Sequence, residues 1–98
     1  MASSEEFKNY VLDRLNLLEN ITYRKMMGEY LLYYNGVYFG GIYDDRFMVK
    51  MAQTNEKYHM EEDLPYDSAK PMYLVSESLS KEELIRLVQE TVSGLQKQ

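Results

Sequence analysis

The chain's single histidine and one pair of adjacent aspartates are the side chains with the most evident potential for chemistry. His59 lies in the segment KYHMEED beside three acidic residues. A metal site or an acid–base pair would need partner groups at a suitable spacing, and this segment does not supply them. The alternating oxygen ligands of a calcium loop are likewise missing around Asp44-Asp45. We therefore expect an exposed histidine near a loop, and a turn at the two aspartates.

Sequence signatures of catalysis are missing from the chain. It contains no cysteine, which excludes disulfides, thiolate metal sites and cysteine nucleophiles. No serine lies in a Gly-x-Ser-x-Gly motif, and there is neither a phosphate-binding loop nor a dinucleotide fingerprint. We expect no enzyme activity, no cofactor and no bound metal.

Basic residues interleaved with tyrosines raise the question of nucleic-acid binding. The candidates for contacting a phosphate, or an acidic partner surface, are Arg24, Lys25 and Lys50. Ten tyrosines are available for stacking on bases, but the net charge of −5 opposes binding to a polyanion except through a local basic patch. The same residues also serve as solubilising charges on strands. We expect duplex DNA not to bind usefully at physiological salt, and direct DNA contact is the alternative hypothesis.

A tyrosine-rich β-meander is the element that must position these residues. Tyrosine, valine, isoleucine, phenylalanine and leucine dominate Thr22–Met51, and turn signals divide it into segments of strand length. Asn35-Gly36 is the strongest signal, because a two-residue type I′ turn needs φ > 0 at both positions. It predicts a hairpin of Glu29–Tyr34 with Val37–Tyr43, preceded by a short strand, Thr22–Met27.

The turns also predict the register. Across Asn35-Gly36 the expected pairs are Tyr34 with Val37, Tyr33 with Tyr38, Leu32 with Phe39 and Leu31 with Gly40. A two- or four-residue loop around Asp44-Asp45 pairs Ile42 with Phe47 and Gly40 with Val49, whereas a three-residue loop would swap the faces of the third strand. Side chains alternate between the two faces of a sheet, and here both faces are apolar. One face collects Leu31, Tyr33, Tyr38, Ile42, Phe47, Val49 and Met51. We expect the other to remain partly uncovered and to form a dimer or partner face through Tyr30, Leu32, Tyr34, Val37 and Phe39.

Two helices are predicted to flank the meander. A capping box of Ser3 with Glu6 and an apolar stripe predict a helix from Ser4 to about Leu18. A second box, Ser80 with Glu83, predicts a helix over Lys81–Ser93. A short helix at Gln53–Met60 and an edge strand at Pro71–Val75 complete the expected order α-β-β-β-β-(short helix)-β-α. The predicted fold class is α+β, a two-layer sandwich in one domain spanning residues 1–98.

The sequence also predicts the cellular location of the protein. The start, MASSEEFK, is acidic where a signal peptide is basic, and no apolar h-region follows it. The chain also has no apolar run near 18 residues. We therefore expect a cytoplasmic protein with no membrane contact.

The run from Ile21 to Tyr30, ITYRKMMGEY, resembles the N-terminal domain of the TfoX/Sxy competence regulators, as do Leu32-Tyr33, Gly36, Phe39, Lys50 and Lys70-Pro71-Met72. The chain departs from the family pattern in two places. It has Met27-Gly28-Glu29 where the family commonly has Phe-Gly-Gly, and its region around Glu61–Ala69 is shorter and less like the family. The resemblance implies an antiparallel sheet with helices against it, similar to type III secretion chaperones. It also implies a transcriptional co-regulator that acts with the cyclic-AMP receptor protein, although the family's second, helical domain has no counterpart here. The function expected from it is a small regulatory module that acts through a protein partner such as a transcription factor. The homodimer is expected from the uncovered apolar face of the sheet.

Overall fold

The computed structural model describes residues 3–97. Its elements in chain order are α1 (Glu5–Arg14), β1 (Ile21–Met26), β2 (Glu29–Tyr34), β3 (Val37–Tyr43), β4 (Arg46–Val49), a 3₁₀ helix (Gln53–Tyr58), β5 (Glu61–Asp63), β6 (Met72–Leu74) and α2 (Lys81–Gln96). The strands form one antiparallel sheet in the order β1-β2-β3-β4-β6-β5. The predicted α+β class is confirmed. No helix between residues 3 and 97 is long and apolar enough to cross a membrane.

One strand of this sheet was not predicted. β5 consists of three acidic residues, Glu61–Asp63, and pairs with β6. The last strand therefore lies between β4 and β5, and its prediction as an edge strand is wrong. A run of three exposed acids has no apolar alternation, so only its pairing with a neighbouring chain segment identifies it as a strand.

Three two-residue turns connect the first four strands. Both central residues have positive φ at Met27-Gly28, at Asn35-Gly36 and at Asp44-Asp45. Such turns match the twist of the strands that flank them. The predicted pairs nearest to the second and third turns are confirmed: Tyr34 with Val37, Tyr33 with Tyr38, Ile42 with Phe47 and Gly40 with Val49.

A β-bulge in β3 changes the rest of the predicted register. Leu32 pairs with Gly40 rather than with Phe39, and Leu31 pairs with Gly41 rather than with Gly40. Phe39 is therefore the extra residue of the bulge. Because one extra residue reverses side-chain alternation, Ile42, Phe47 and Val49 join the face of Leu32, whereas Met48 joins the face of Leu31.

The face predicted to remain open is the one that the helices cover. Tyr30, Leu32 and Phe39 are 4%, 0% and 0% exposed, and Tyr34 and Val37 pack against the same core. The covering side chains include Val11, Leu15, Leu84, Leu87 and Val88. Tyr30, Leu32 and Phe39 are therefore core residues of a single chain and cannot form a dimer face, while Tyr34 and Val37 are half-buried at the margin of that core. Both faces of the sheet are apolar, so only the packing of the helices selected this one. Dimer formation itself remains a prediction.

The helix ends depart from the predicted positions in three places, one of which is the end of α2, at Gln96 rather than at Ser93. Ser4, not Ser3, is the N-cap of α1 and accepts a hydrogen bond from the N–H of Phe7. α1 ends at Arg14 rather than near Leu18, although Leu18 is still buried. The capping box of Ser80 with Glu83 is confirmed at the start of α2.

Candidate functional site

The second face of the sheet is covered only in part, by the loop of residues 64–71. Arg46 anchors this loop: its Nη1 lies 2.7 Å from a carboxylate oxygen of Asp63 and 3.0 Å from the carbonyl oxygen of Leu64. The loop's Pro65 is buried, and Tyr66 lies against the ring of Tyr43 with the centroids 6.3 Å apart. Arg46 thereby holds the loop over one half of the face, where Met48 and Met72 form a second small core.

The other half of this face is an open groove of about 840 Å³ between the β1–β2 turn and the loop. Its lining includes Met26, Met27, Leu31, Tyr38, Tyr43 and Tyr66, and we call it the tyrosine–methionine groove. Three of these side chains are strongly exposed: Met26 at 47%, Met27 at 96% and Tyr66 at 64%. Large apolar side chains that cluster in the open around a concave surface are typical of an interaction site.

The floor of the groove is uncharged. The hydroxyl oxygens of Tyr38 and Tyr43 lie 2.5 Å apart in a hydrogen bond. Burial raises the pKa of Tyr43, and the hydrogen bond that it shares with Tyr38 raises it further. Burial also raises the pKa of Tyr38, against the opposing effect of that bond. Both phenols therefore stay protonated at physiological pH and present neutral, mostly apolar surface.

One carboxylate, Glu29, lies at the end of the groove and holds the surrounding turns in place. Its Oε1 accepts hydrogen bonds from the backbone N–H of Ser3 at 2.9 Å and from the Ser3 hydroxyl at 2.8 Å. Its Oε2 accepts from the N–H of Asp44 at 2.9 Å. Glu29 therefore joins the N-terminal segment, the start of β2 and the β3–β4 turn, which makes the wall of the groove preorganised.

Met27 is held in an unusual backbone conformation at the rim of the groove. Its φ is 53°, a left-handed value that favours glycine and asparagine over an unbranched apolar residue. The equivalent position of the β2–β3 turn is Asn35, with φ 51°. Met27 thus combines a strained backbone with an apolar side chain that is 96% exposed.

We predict that Met27→Asn stabilises the domain by about 0.5 to 1 kcal/mol, because asparagine relieves the strain in a type I′ turn. Thermal unfolding followed by circular dichroism measures this as a rise of a few degrees. The reciprocal change, Asn35→Met, is the matched control and should lower stability, partly through loss of the 2.9 Å hydrogen bond from Asn20. A lower melting temperature for Met27→Asn would show that the turn is not strained.

Residues 13–95 match the family model described as the TfoX N-terminal domain. The chain belongs to this family. The resemblance predicted from the sequence is thus confirmed, and the family is a regulatory one rather than a family of enzymes. No curated protein matches the chain. Within this TfoX N-terminal domain, the run Thr22–Tyr30 forms most of β1, the first turn and one wall of the groove.

The three basic residues predicted to contact a phosphate or a partner do not form one patch. Arg24 is exposed opposite Leu31, on the groove side of β1. Lys25 is opposite Tyr30, on the helix side, with its Nζ 5.9 Å from that ring centroid. Lys50 places its Nζ 4.9 Å from the ring centroid of Tyr38, at the edge of the groove. Only Arg24 and Lys50 therefore share a face.

Asp44-Asp45 and His59 lie where the sequence predicted them, in a turn and at an exposed position near a loop. Asp44 and Asp45 both have positive φ in a tight turn, so turn geometry accounts for the pair. His59 is exposed just after the 3₁₀ helix and lines a separate cleft of about 580 Å³ on the helix side of the sheet. Within residues 3–97 no group of three or more histidine or carboxylate side chains is arranged to hold a metal ion.

Sequence reasoning missed the groove itself. Tyr38 and Leu31 were correctly assigned to one face, but that face was not expected to be the open one. Met27 and Tyr66 lie in a turn and in a loop, where periodicity carries no information. The available signal was a large apolar residue, Met27, directly before Gly28 in a turn position that usually holds asparagine or aspartate.

Proposed function

We propose that this TfoX N-terminal domain is a small regulatory module that acts through a protein partner, and that the partner docks in the tyrosine–methionine groove. The observation that carries the proposal is the apolar groove on the face of the sheet that the helices do not cover. Exposed Met26 and Met27 line it on one side and exposed Tyr66 lines it on the other. Family membership supports a transcription factor as the class of partner.

The chemistry of the groove suits a protein surface. Methionine is unbranched and polarisable, so it adapts to irregular apolar surfaces, and tyrosine adds large contact area with a polar tip. Interface cores are depleted in charge, and the floor formed by Tyr38 and Tyr43 is neutral. We therefore expect the partner to contribute one or two apolar or aromatic anchor residues.

Direct DNA contact is less well supported. Arg24 and Lys25 lie on opposite faces of β1, and Lys50 is engaged over the ring of Tyr38. Few phosphates can then be contacted at once, whereas DNA affinity depends on the number neutralised. The net charge of −5 opposes binding further.

The test compares capture by three forms of the protein from lysate of the cells that produce it: wild type, Met27→Asp and Leu17→Asp. Aspartate accepts positive φ, as at Asp44, so Met27→Asp preserves the turn while placing a charge at the rim of the groove. Leu17 is 65% exposed and does not line the groove, which makes it the matched control. We expect one protein to be retained by wild type and Leu17→Asp and lost with Met27→Asp. Titration with that purified protein should then show at least about a tenfold weaker affinity for the groove variant.

Equal capture by all three forms would contradict docking in the groove. Fluorescence anisotropy with duplex DNA at about 150 mM salt covers the alternative, since screening there leaves only close contacts. Sub-micromolar binding that weakens in Arg24→Ala and Lys25→Ala would favour direct DNA recognition instead.

A further inference from the structure

β1 is an edge strand with an unusually accessible outer side. It pairs only with β2, and its residues from Thr22 to Met26 are exposed. An edge strand presents a row of backbone N–H and C=O groups that can pair with another chain. At six residues, it is twice as long as β5, the strand at the opposite edge of the sheet.

The turn geometry shows which backbone groups of β1 point outward. Met27-Gly28 is a two-residue turn, so its flanking pair, Met26 with Glu29, is hydrogen-bonded. Hydrogen-bonded pairs alternate along an antiparallel ladder, which directs the N–H and C=O of Thr22, Arg24 and Met26 towards β2. The 3.1 Å bond from the N–H of Asn35 to the carbonyl of Asn20 follows the same alternation at the far end. The groups of Ile21, Tyr23 and Lys25 therefore point outward.

We infer that two copies of the chain pair through β1, antiparallel, about a two-fold axis at Tyr23. Tyr23 then faces Tyr23 of the second copy, and Ile21 faces Lys25 of the second copy. All three outward-pointing residues form hydrogen-bonded pairs in this register, and the two sheets join into one. Because the axis is perpendicular to the sheet, the helices of both copies lie on one side of the joined sheet. The open faces of both copies lie on the other side.

The side chains of β1 favour this register over the adjacent register, in which the axis lies at Arg24. On the open face Arg24 lies opposite Thr22 of the second copy, and no like charges face each other. A shift to an axis at Arg24 would still pair outward-pointing backbone groups, Tyr23 with Lys25 of the second copy. It would, however, place two arginines directly opposite each other, which is destabilising. The basic residues of β1 therefore select a register rather than prevent pairing.

Pairing of β1 with β5 of another copy is the competing arrangement, since β5 is acidic. That contact is head-to-tail and extends into open chains instead of closing. It is also short, because β5 has three residues, and Arg46 already binds the side chain of Asp63 at 2.7 Å. The two-fold pairing uses a longer strand and closes on itself.

Two measurements on the full chain test the inference. Sedimentation equilibrium at about 0.5 mM, a concentration suited to the weak affinity of small interfaces, should show twice the 11.6 kDa mass of the chain. Amide hydrogen exchange should show protection of Ile21, Tyr23 and Lys25 that rises with protein concentration, while Thr22, Arg24 and Met26 stay unchanged. A monomer at this concentration would overturn the inference. Species larger than a dimer that dissociate as salt is raised would also overturn it, because they would indicate head-to-tail pairing of β1 with β5.

Substitutions of Thr22, which is exposed, test the register with opposite expected signs. Thr22→Glu places a carboxylate opposite Arg24 of the second copy and should tighten the dimer by about threefold to tenfold, since the pair occurs twice. Thr22→Arg should weaken it by a similar factor. Melting temperatures at low concentration show that both variants fold. Equal dimerisation constants, or changes in the same direction, would contradict this register. Thr22 does not line the groove, so the result is independent of partner docking.

Discussion

Replacing Gly40 by alanine is expected to destabilise the domain by about 3 kcal/mol or more, which is a large share of the stability of a protein of this size. A Cβ atom at this position would lie 2.2 Å from the carbonyl oxygen of Met48 and 2.9 Å from the Cα of Val49. Both contacts are with backbone, so no side-chain rotation can relieve them. The strands β3 and β4 would have to separate at the centre of the sheet, directly beside the bulge at Phe39.

Urea unfolding monitored by circular dichroism measures this loss, and Gly36→Ala is its control. Gly36 has φ +80° and no atom within 4 Å of a Cβ position, so alanine there costs only backbone strain, about 1 kcal/mol. A comparable loss for both variants would show that β3 and β4 tolerate a side chain between them. The difference between the two values isolates steric overlap from conformational strain.

The second large effect is expected from Asn55→Ala, at about 2 to 4 kcal/mol. Asn55 is fully buried at 0% exposure in the 3₁₀ helix. Its Nδ2 donates to the carbonyl oxygen of Lys50 and to Oγ1 of Thr91, both at 2.9 Å, and its Oδ1 accepts from the N–H of Ala52 at 3.1 Å. Alanine would leave a cavity and deprive these groups of their partner, and an unsatisfied buried polar group is costly.

Thermal unfolding of Asn55→Ala should give a melting temperature lower by about 10 °C or more. Gln53→Ala, an exposed position in the same 3₁₀ helix, is the matched control and should change little. A cycle with Thr91→Val separates the bond between the two side chains from the cavity, because contacting residues are coupled. A loss below about 1 kcal/mol for Asn55→Ala would mean that water replaces its hydrogen bonds.

The proposed groove and the proposed dimer are compatible in geometry. A two-fold axis perpendicular to the sheet at Tyr23 places both grooves on the same side of the joined sheet. A partner that is itself a two-fold dimer can then be engaged at two sites, which raises the apparent affinity without any new contact. Dimeric partners should accordingly bind the wild type more tightly than a variant weakened in dimerisation, such as Thr22→Arg.

The sequence alone determined what depends on neighbouring residues. Asn35-Gly36 and Asp44-Asp45 predicted their turns correctly, because positive φ is a local requirement that few residue types meet. The register next to each turn followed from loop length, and the capping box at Ser80 followed from a spacing of three residues. Family membership was also readable from the run Thr22–Tyr30, since a local motif does not depend on the fold around it.

Only the tertiary structure decided which face of the sheet became the core and which became the groove. Both faces carried enough apolar residues to be buried, so the choice fell to the packing of α1 and α2. The bulge at Phe39 lies beside the close approach of β4 at Gly40, and β5 exists as a strand because β6 lies beside it. The loop that closes half of the open face is held by Arg46, far from it in sequence. Such contacts join distant parts of the chain, and no local pattern encodes them.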